Sequence, residues 1–267
     1  MRLFHGMSDK RSEKRARRAS KRANLHSERM QYLLDRKTPF AITEAFRNLK
    51  AALSVSVPKR DGGVVIMATS AYPQDGKTTV TVNLALMFAI SNAKVIIIDA
   101  DIRKGRVAKF FQEKNVPGLS DYLSGQNSLD EVIRSTQADK NLSYISCGTH
   151  SPKPYELLES ATMKNLIEEL RTRYDYIIID TPPVLLLSDA LAIAPEIDGT
   201  VLVCRHQVSY ISDIARALNT LSFAKANVLG VVVNDFKLPP TKSRGNYDSY
   251  YYYSYAYGST EQSEESN

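Results

Sequence analysis

Apolar positions along the chain fall into two textures. Over residues 40–57, Ile42, Ala45, Phe46, Leu49 and Leu53 recur at helical spacing, which predicts a helix ended by Pro58 and Asp61-Gly62-Gly63. Short continuous Val/Ile runs then begin. Val64–Ala68, Lys94–Ile98, Leu142–Cys147, Tyr174–Ile179, Thr200–Cys204 and Val228–Val233 read as strands. Helical patterns separate them, near Lys77–Ser91 and over Met163–Arg173 and Ser209–Phe223. Strands that are apolar along their whole length and alternate with helices predict an α/β domain. Its central sheet is mostly parallel and covered on both faces.

Before and after this alternation the texture changes. Residues 1–37 interleave Lys and Arg with Ala and Ser and read as an arm. Residues 239–246 read as a linker, and a tail rich in tyrosine follows. The expected organisation is a basic arm over 1–37, a packed domain over 38–240 and a flexible tail over 241–267.

The charge follows the same division. Of 35 basic and 29 acidic residues in the 267-residue chain, 12 and 4 lie in residues 1–37, a net of +8. The last ten residues carry three Glu and no base, so the body between is near neutral. A protein that coats nucleic acid with its whole surface is therefore not expected. For the arm three readings stay open: contact with an anionic membrane surface, a solvated tail, and phosphate contacts on nucleic acid, which is the least favoured.

No run approaches the ~18 apolar residues of a membrane helix; the longest, Val184–Ala194, contains Ser188 and Asp189. The start has no apolar signal-peptide core, so a cytoplasmic protein is expected. Cys147 and Cys204 sit in or beside apolar runs and are expected as reduced core thiols.

The sharpest chemical signal follows the first strand. Pro73-Gln74-Asp75-Gly76-Lys77-Thr78-Thr79 carries the end of the phosphate-loop pattern, with Ala71 where its first glycine would stand. A strand, a tight loop and a helix start turn backbone amides towards phosphates. Lys77 would reach the β/γ oxygens, and the Thr78 hydroxyl would hold Mg²⁺. Two strands end in acids, Ile96-Ile97-Ile98-Asp99-Ala100-Asp101-Ile102-Arg103 and Ile177-Ile178-Ile179-Asp180-Thr181-Pro182-Pro183. Carboxylates at the C-terminal ends of parallel strands line the crevice where such sheets bind ligands.

The order of these three motifs resembles the deviant-Walker P-loop ATPases related to MinD and ParA. Within that group it resembles the bacterial tyrosine kinases of capsule and exopolysaccharide synthesis. Tyr72 stands where the MinD/ParA branch carries a signature lysine, and the Pro73 form of the loop is similar to the kinase form. The resemblance spans about residues 38–257. It implies a three-layer α/β/α P-loop fold, ATP and Mg²⁺ as donor and cofactor, Asp101 as base, and Asp99 and Asp180 as organisers of Mg²⁺. It also implies that Lys77 and Arg103 balance phosphoryl charge; a structural salt bridge is the other reading of Arg103. Asn234 would contact adenine, unless it is a strand-end turn residue.

Seven of the 15 tyrosines lie at Tyr247, Tyr250, Tyr251, Tyr252, Tyr253, Tyr255 and Tyr257. Alone they read as a low-complexity tail. The resemblance makes them phosphoacceptors, one subunit's tail entering a neighbour's site. Glu44, Arg47 and Lys50 resemble a segment that joins subunits in a ring, although Lys50 cannot make a forked contact. Glu44 and Arg47 could instead pair within their helix. The resemblance further implies a membrane-spanning activator that draws the kinase to the inner face of the membrane, a cognate tyrosine phosphatase and protein substrates. The alternatives are a nucleotide-switched positioning ATPase without kinase activity, and a nucleotide-binding scaffold.

Overall fold

A computed structural model describes residues 33–57 and 61–236. The tyrosine cluster and nearly all of the basic arm lie outside the described residues. Seven strands form one sheet: β1 (Val64–Ser70), β2 (Val95–Asp99), β3 (Ile133–Ser135), β4 (Leu142–Ile145), β5 (Tyr176–Asp180), β6 (Gly199–Arg205) and β7 (Val228–Asn234). Their order across the sheet is β3-β4-β2-β5-β1-β6-β7, and every pairing is parallel except β3 with β4. All six expected strands are present within a residue or two at each end. β3 was not expected: three residues, one of them Arg134, carry no run and no alternation for a pattern to register.

Helices cover both faces. In β2, Ile97 joins one core with Ile66 and Ile178, whereas Ile96 and Ile98 join the other with Val65 and Ile177. That is the period of two expected of a strand buried on both sides. The first core is closed by α2 (Lys77–Ile90), a helix apolar nearly all round and buried between the sheet and α1 (Phe40–Ser56). Short helices α3 (Val107–Phe110), α4 (Leu119–Leu123) and α5 (Leu129–Val132) fill the polar stretch between β2 and β3. The second core is closed by α6 (Pro154–Glu159), α7 (Ala161–Arg173), α8 (Asp189–Ile193) and α9 (Ile211–Phe223), through side chains such as Leu166, Leu170, Ala217 and Leu221.

The packed body begins before residue 38. Leu33 and Leu34 lie against the α2 core, and the Leu34 amide donates to Asn83 Oδ1 at 2.8 Å. Cys147 and Cys204 are buried and unpaired, as expected. Among the described residues no helix is long and apolar enough to cross a membrane.

Candidate active site

β1 runs through Ser70 into the loop and hands the chain to α2 at Gly76, which sits in the left-handed region at φ 90°. A Cβ there would come within 1.8 Å of Asn234 Nδ2, so glycine is required on both counts. The loop is tied down at several points. Asn234, the last residue of β7, donates from Nδ2 to the Asp75 carbonyl at 3.0 Å. Ser209 Oγ donates to Asp75 Oδ1 at 3.0 Å, and Ser70 Oγ donates to the Tyr72 carbonyl at 2.7 Å. Asp75 is buried, which pushes its pKa up, while the Ser209 hydroxyl, the Tyr72 amide and the Arg205 charge pull it back. Pro73 and Gln74 form the exposed tip, and Thr79 lies half-buried in the first turn of α2.

The acids meet this loop because of register. Asp99 on β2 is the direct parallel partner of Asp180 on β5, and Asp180 is in turn level with Ala68 on β1. Two identical Ile-Ile-Ile-Asp strands laid side by side therefore bring two carboxylates together about 5 Å apart along the sheet. Both are fully buried. Asp180 Oδ2 accepts from Thr78 Oγ1 at 2.6 Å, and Lys77 Nζ stands 3.5 Å from both Asp180 Oδ2 and Asp101 Oδ2. Asp99 is fixed by the amides of Asp101 (3.2 Å) and Val107 (2.9 Å).

Three acids face one ammonium, and the electrostatics follow from that count. Burial pushes Asp99 up to about 8, with the Asp180 charge adding to it and the Val107 amide and Lys77 opposing. Asp180 is raised by burial too, against the pull of Lys77 and Thr78. Burial disfavours the Lys77 ammonium, but the charges of Asp180, Asp101 and Asp99 outweigh it and hold its pKa above the ordinary value. The cluster is thus short of positive charge, and it sits at the mouth of a phosphate loop. Among the described residues no three His, Cys, Asp or Glu side chains form a group that could hold a metal unaided. The Thr78 hydroxyl, Asp180 and Asp99 stand together here, and Mg²⁺ takes one or two such protein oxygens and completes its shell with water and phosphate.

Arg103 lies apart from this cluster. Its Nε and Nη2 fork onto Asp189 at 2.9 and 3.3 Å, and the Asp189 side chain is almost wholly buried. The salt-bridge reading of Arg103 describes this structure. Glu44 and Arg47 pair within α1, and Lys50 Nζ donates to Ser91 Oγ at 2.7 Å, just past the end of α2. Ser209 and Asp189 were missed as functional neighbours. Asp189 did leave a signal, as an acid inside the longest apolar run; Ser209, at the start of a helical pattern, left none that points to a loop 134 residues away.

Residues 73–226 match the family described as AAA domain. The tyrosine-protein kinase YwqD of Bacillus subtilis is 37% identical over 182 residues, which are 68% of this chain and 76% of the relative. The chain belongs to the bacterial tyrosine kinase family. The kinase domain of the Escherichia coli tyrosine kinase ETK superposes with a TM-score of 0.68 at 32% identity, covering 76% of this chain and 80% of that one. The Pyrococcus furiosus cell division ATPase MinD shares the fold less closely, at 0.56 and 25% identity over 67% of this chain and 76% of that one. This chain spans 26–31% of the length of several other curated relatives.

Proposed function

We propose that the protein is an ATP-dependent protein-tyrosine kinase that phosphorylates the Tyr247–Tyr257 cluster of a neighbouring copy and regulates capsule or exopolysaccharide synthesis and export. The observation that carries this is the meeting of Lys77, Thr78, Asp99, Asp101 and Asp180 at one sheet edge, in a chain of the tyrosine kinase family. In the reaction the bond between the γ-phosphorus and the β–γ bridging oxygen breaks, a bond to the phenol oxygen forms, and ADP leaves. The loop amides and the start of α2 hold the phosphates, and Gly76 lets the backbone approach them. Lys77 neutralises charge on the transferred group. Thr78, Asp99 and Asp180 would hold Mg²⁺, which draws charge from the phosphate oxygens when bound.

Asp101 takes the phenol proton. It is less enclosed than Asp99 and Asp180, and Lys77 and the Lys104 amide (3.0 Å to Oδ1) orient its carboxylate. A phenol with a pKa near 10 needs such a base, or a loose transition state that asks little of the nucleophile. Asn234 supports the loop from below, and its contact with adenine is part of this proposal. Arg103 would have to leave Asp189 to act on phosphate.

The remaining assignments rest on the family resemblance. Subunits join as a ring through α1, with Glu44, Arg47 and Lys50 at the contact. A membrane-spanning activator docks on the kinase and draws it to the inner face of the membrane, where the basic arm meets anionic lipid. A cognate phosphatase resets the tail, and further protein substrates exist. Incubation of the purified chain with Mg-ATP tests the reading: phosphotyrosine in the tail, lost in Lys77→Met, is expected. ATP hydrolysis without phosphotyrosine, even with the activator's cytosolic segment added, would turn the assignment to a switch ATPase.

A further inference from the structure

A second concavity opens behind the acid cluster. It is a cleft of about 350 Å³ lined by Lys104, Arg106, Lys109, Asn115, Cys147 and His150, among others. Its floor is Gly105. A Cβ placed there would come within 2.4 Å of Cys147 Sγ and 2.7 Å of Asp99 Oδ2, so the cleft and the acid site share one wall. Its rim starts at Ile102, the residue after Asp101, and the turn is fixed by the Lys104 amide donating to Asp101 Oδ1.

The charge of the cleft is not spent internally. Arg103, also on its lining, is neutralised by Asp189, and Glu156 acts on Arg103 as well. Lys104, Arg106 and Lys109 form no ion pair among the described residues. Three cations are therefore left facing one small volume. The wall is also built rather than incidental. The Asn115 carbonyl accepts from Ser146 Oγ at 2.8 Å and from the Gly148 amide at 3.0 Å, which fixes that loop. The Asn115 side-chain oxygen is buried with no hydrogen-bond partner. Cations round a cleft suit a phosphate monoester, which carries about −1.5 to −2 charge at pH 7.

The chain itself supplies such a group. Tyr251, Tyr253, Tyr255 and Tyr257 alternate with other residues. In an extended segment alternate side chains share a face about 7 Å apart. A tail that offers one phenol to Asp101 thus carries its next tyrosine on the same face about 7 Å away, and the cleft rim starts at Ile102, next to Asp101. We propose that this cleft is a phosphotyrosine subsite: it holds a tail tyrosine that has already been phosphorylated while a second tyrosine of the same tail is presented to Asp101. This rests on the kinase reading above. The first phosphate then speeds the later ones, so phosphates accumulate in bunches on individual chains.

The test uses the full chain, treated with phosphatase and free of nucleotide. A labelled peptide of residues 246–258 is titrated in two forms, unmodified and phosphorylated at Tyr253. The phosphorylated form is expected to bind about 10-fold more tightly. In the Lys104→Ala/Arg106→Ala/Lys109→Ala variant the two forms should bind within about twofold, and Lys104→Arg/Lys109→Arg should restore the preference. Inorganic phosphate should displace the phosphopeptide only at far higher concentration; displacement at matched concentration would reduce the cleft to a general anion site and overturn the assignment. Equal binding of the two peptides to the parent chain would overturn it as well. This comparison needs no turnover, so it stands apart from the kinase reading, which fails only if Mg-ATP yields no tail phosphotyrosine. In turnover, intact mass spectra should show the ratio of later to first phosphorylation rates falling about fivefold in the triple alanine variant; an unchanged ratio would refute the subsite.

Discussion

Replacing Asp99 by asparagine removes the titrating group at the most crowded point of the site while keeping its size and a neutral, hydrogen-bonding head. In the folded, nucleotide-free protein the Asp99 carboxyl has a pKa of about 8, because it is fully buried beside Asp180. In the unfolded chain an aspartate titrates near 3.9. Between those values the folded state holds a proton that the unfolded state has lost. Stability therefore falls as pH rises, by up to about 1.4 kcal/mol per pH unit, and the loss is complete above about pH 8. From about pH 6 to pH 8 this amounts to about 2–3 kcal/mol, or about 4–10 °C in Tm for a domain of this size. The Asp99→Asn variant lacks this dependence, and the parent-minus-variant difference cancels the titrating groups outside the Lys77, Asp99, Asp101 and Asp180 cluster. Thermal unfolding of both proteins in buffer without metal or nucleotide, from about pH 6 to pH 9, reads it directly. The variant should gain on the parent up to about pH 8 and level off above it, and it should fail to phosphorylate the tail for want of an anionic Asp99. Parallel Tm curves, or a parent that gains on the variant with rising pH, would refute the claim that Asp99 is buried against a second acid.

Other perturbations separate the parts of the site. Lys77→Met should abolish tail phosphorylation with the circular dichroism spectrum unchanged, since the carboxylates it leaves can take up protons instead. Asn234→Ala loses the bond to the Asp75 carbonyl (3.0 Å) and should weaken nucleotide binding about 5–10-fold by calorimetry, because the loop must then be ordered by the ligand. Arg103→Ala strands the buried Asp189 carboxylate and should cost about 1–2 kcal/mol in denaturant unfolding; a variant of parental stability but no activity would place Arg103 on the phosphate instead.

What could be read in advance was what the chain writes locally. Gly76-Lys77-Thr78 after an apolar strand is a contiguous signal, and Asp99 and Asp180 each close a run of three isoleucines. The parallel register that places these two acids side by side follows from the strands' pattern and fold class, although no single residue states it. The supports were harder to see. Asn234 reaches a loop 159 positions earlier, and Asp189 meets Arg103 across 86. Such contacts are made by topology, and neither residue type announces its partner. Arg103 shows the cost most plainly: its place two residues after Asp101 suggests phosphate, while the forked pair with Asp189 is visible only once β5 and α8 are in position. The packed role of Leu33 and Leu34 was hidden by the basic residues before them, whose composition set the arm's expected end a few positions too late.

The central claim is that this sheet edge transfers phosphoryl groups to tyrosine. Phosphosite mapping by mass spectrometry, after the purified full chain is incubated with Mg-ATP, tests it most directly. Phosphate on Tyr247–Tyr257, absent from the Lys77→Met protein, is the result the account predicts. ATP consumed with every tail tyrosine unmodified, with the activator's cytosolic segment present, would contradict it.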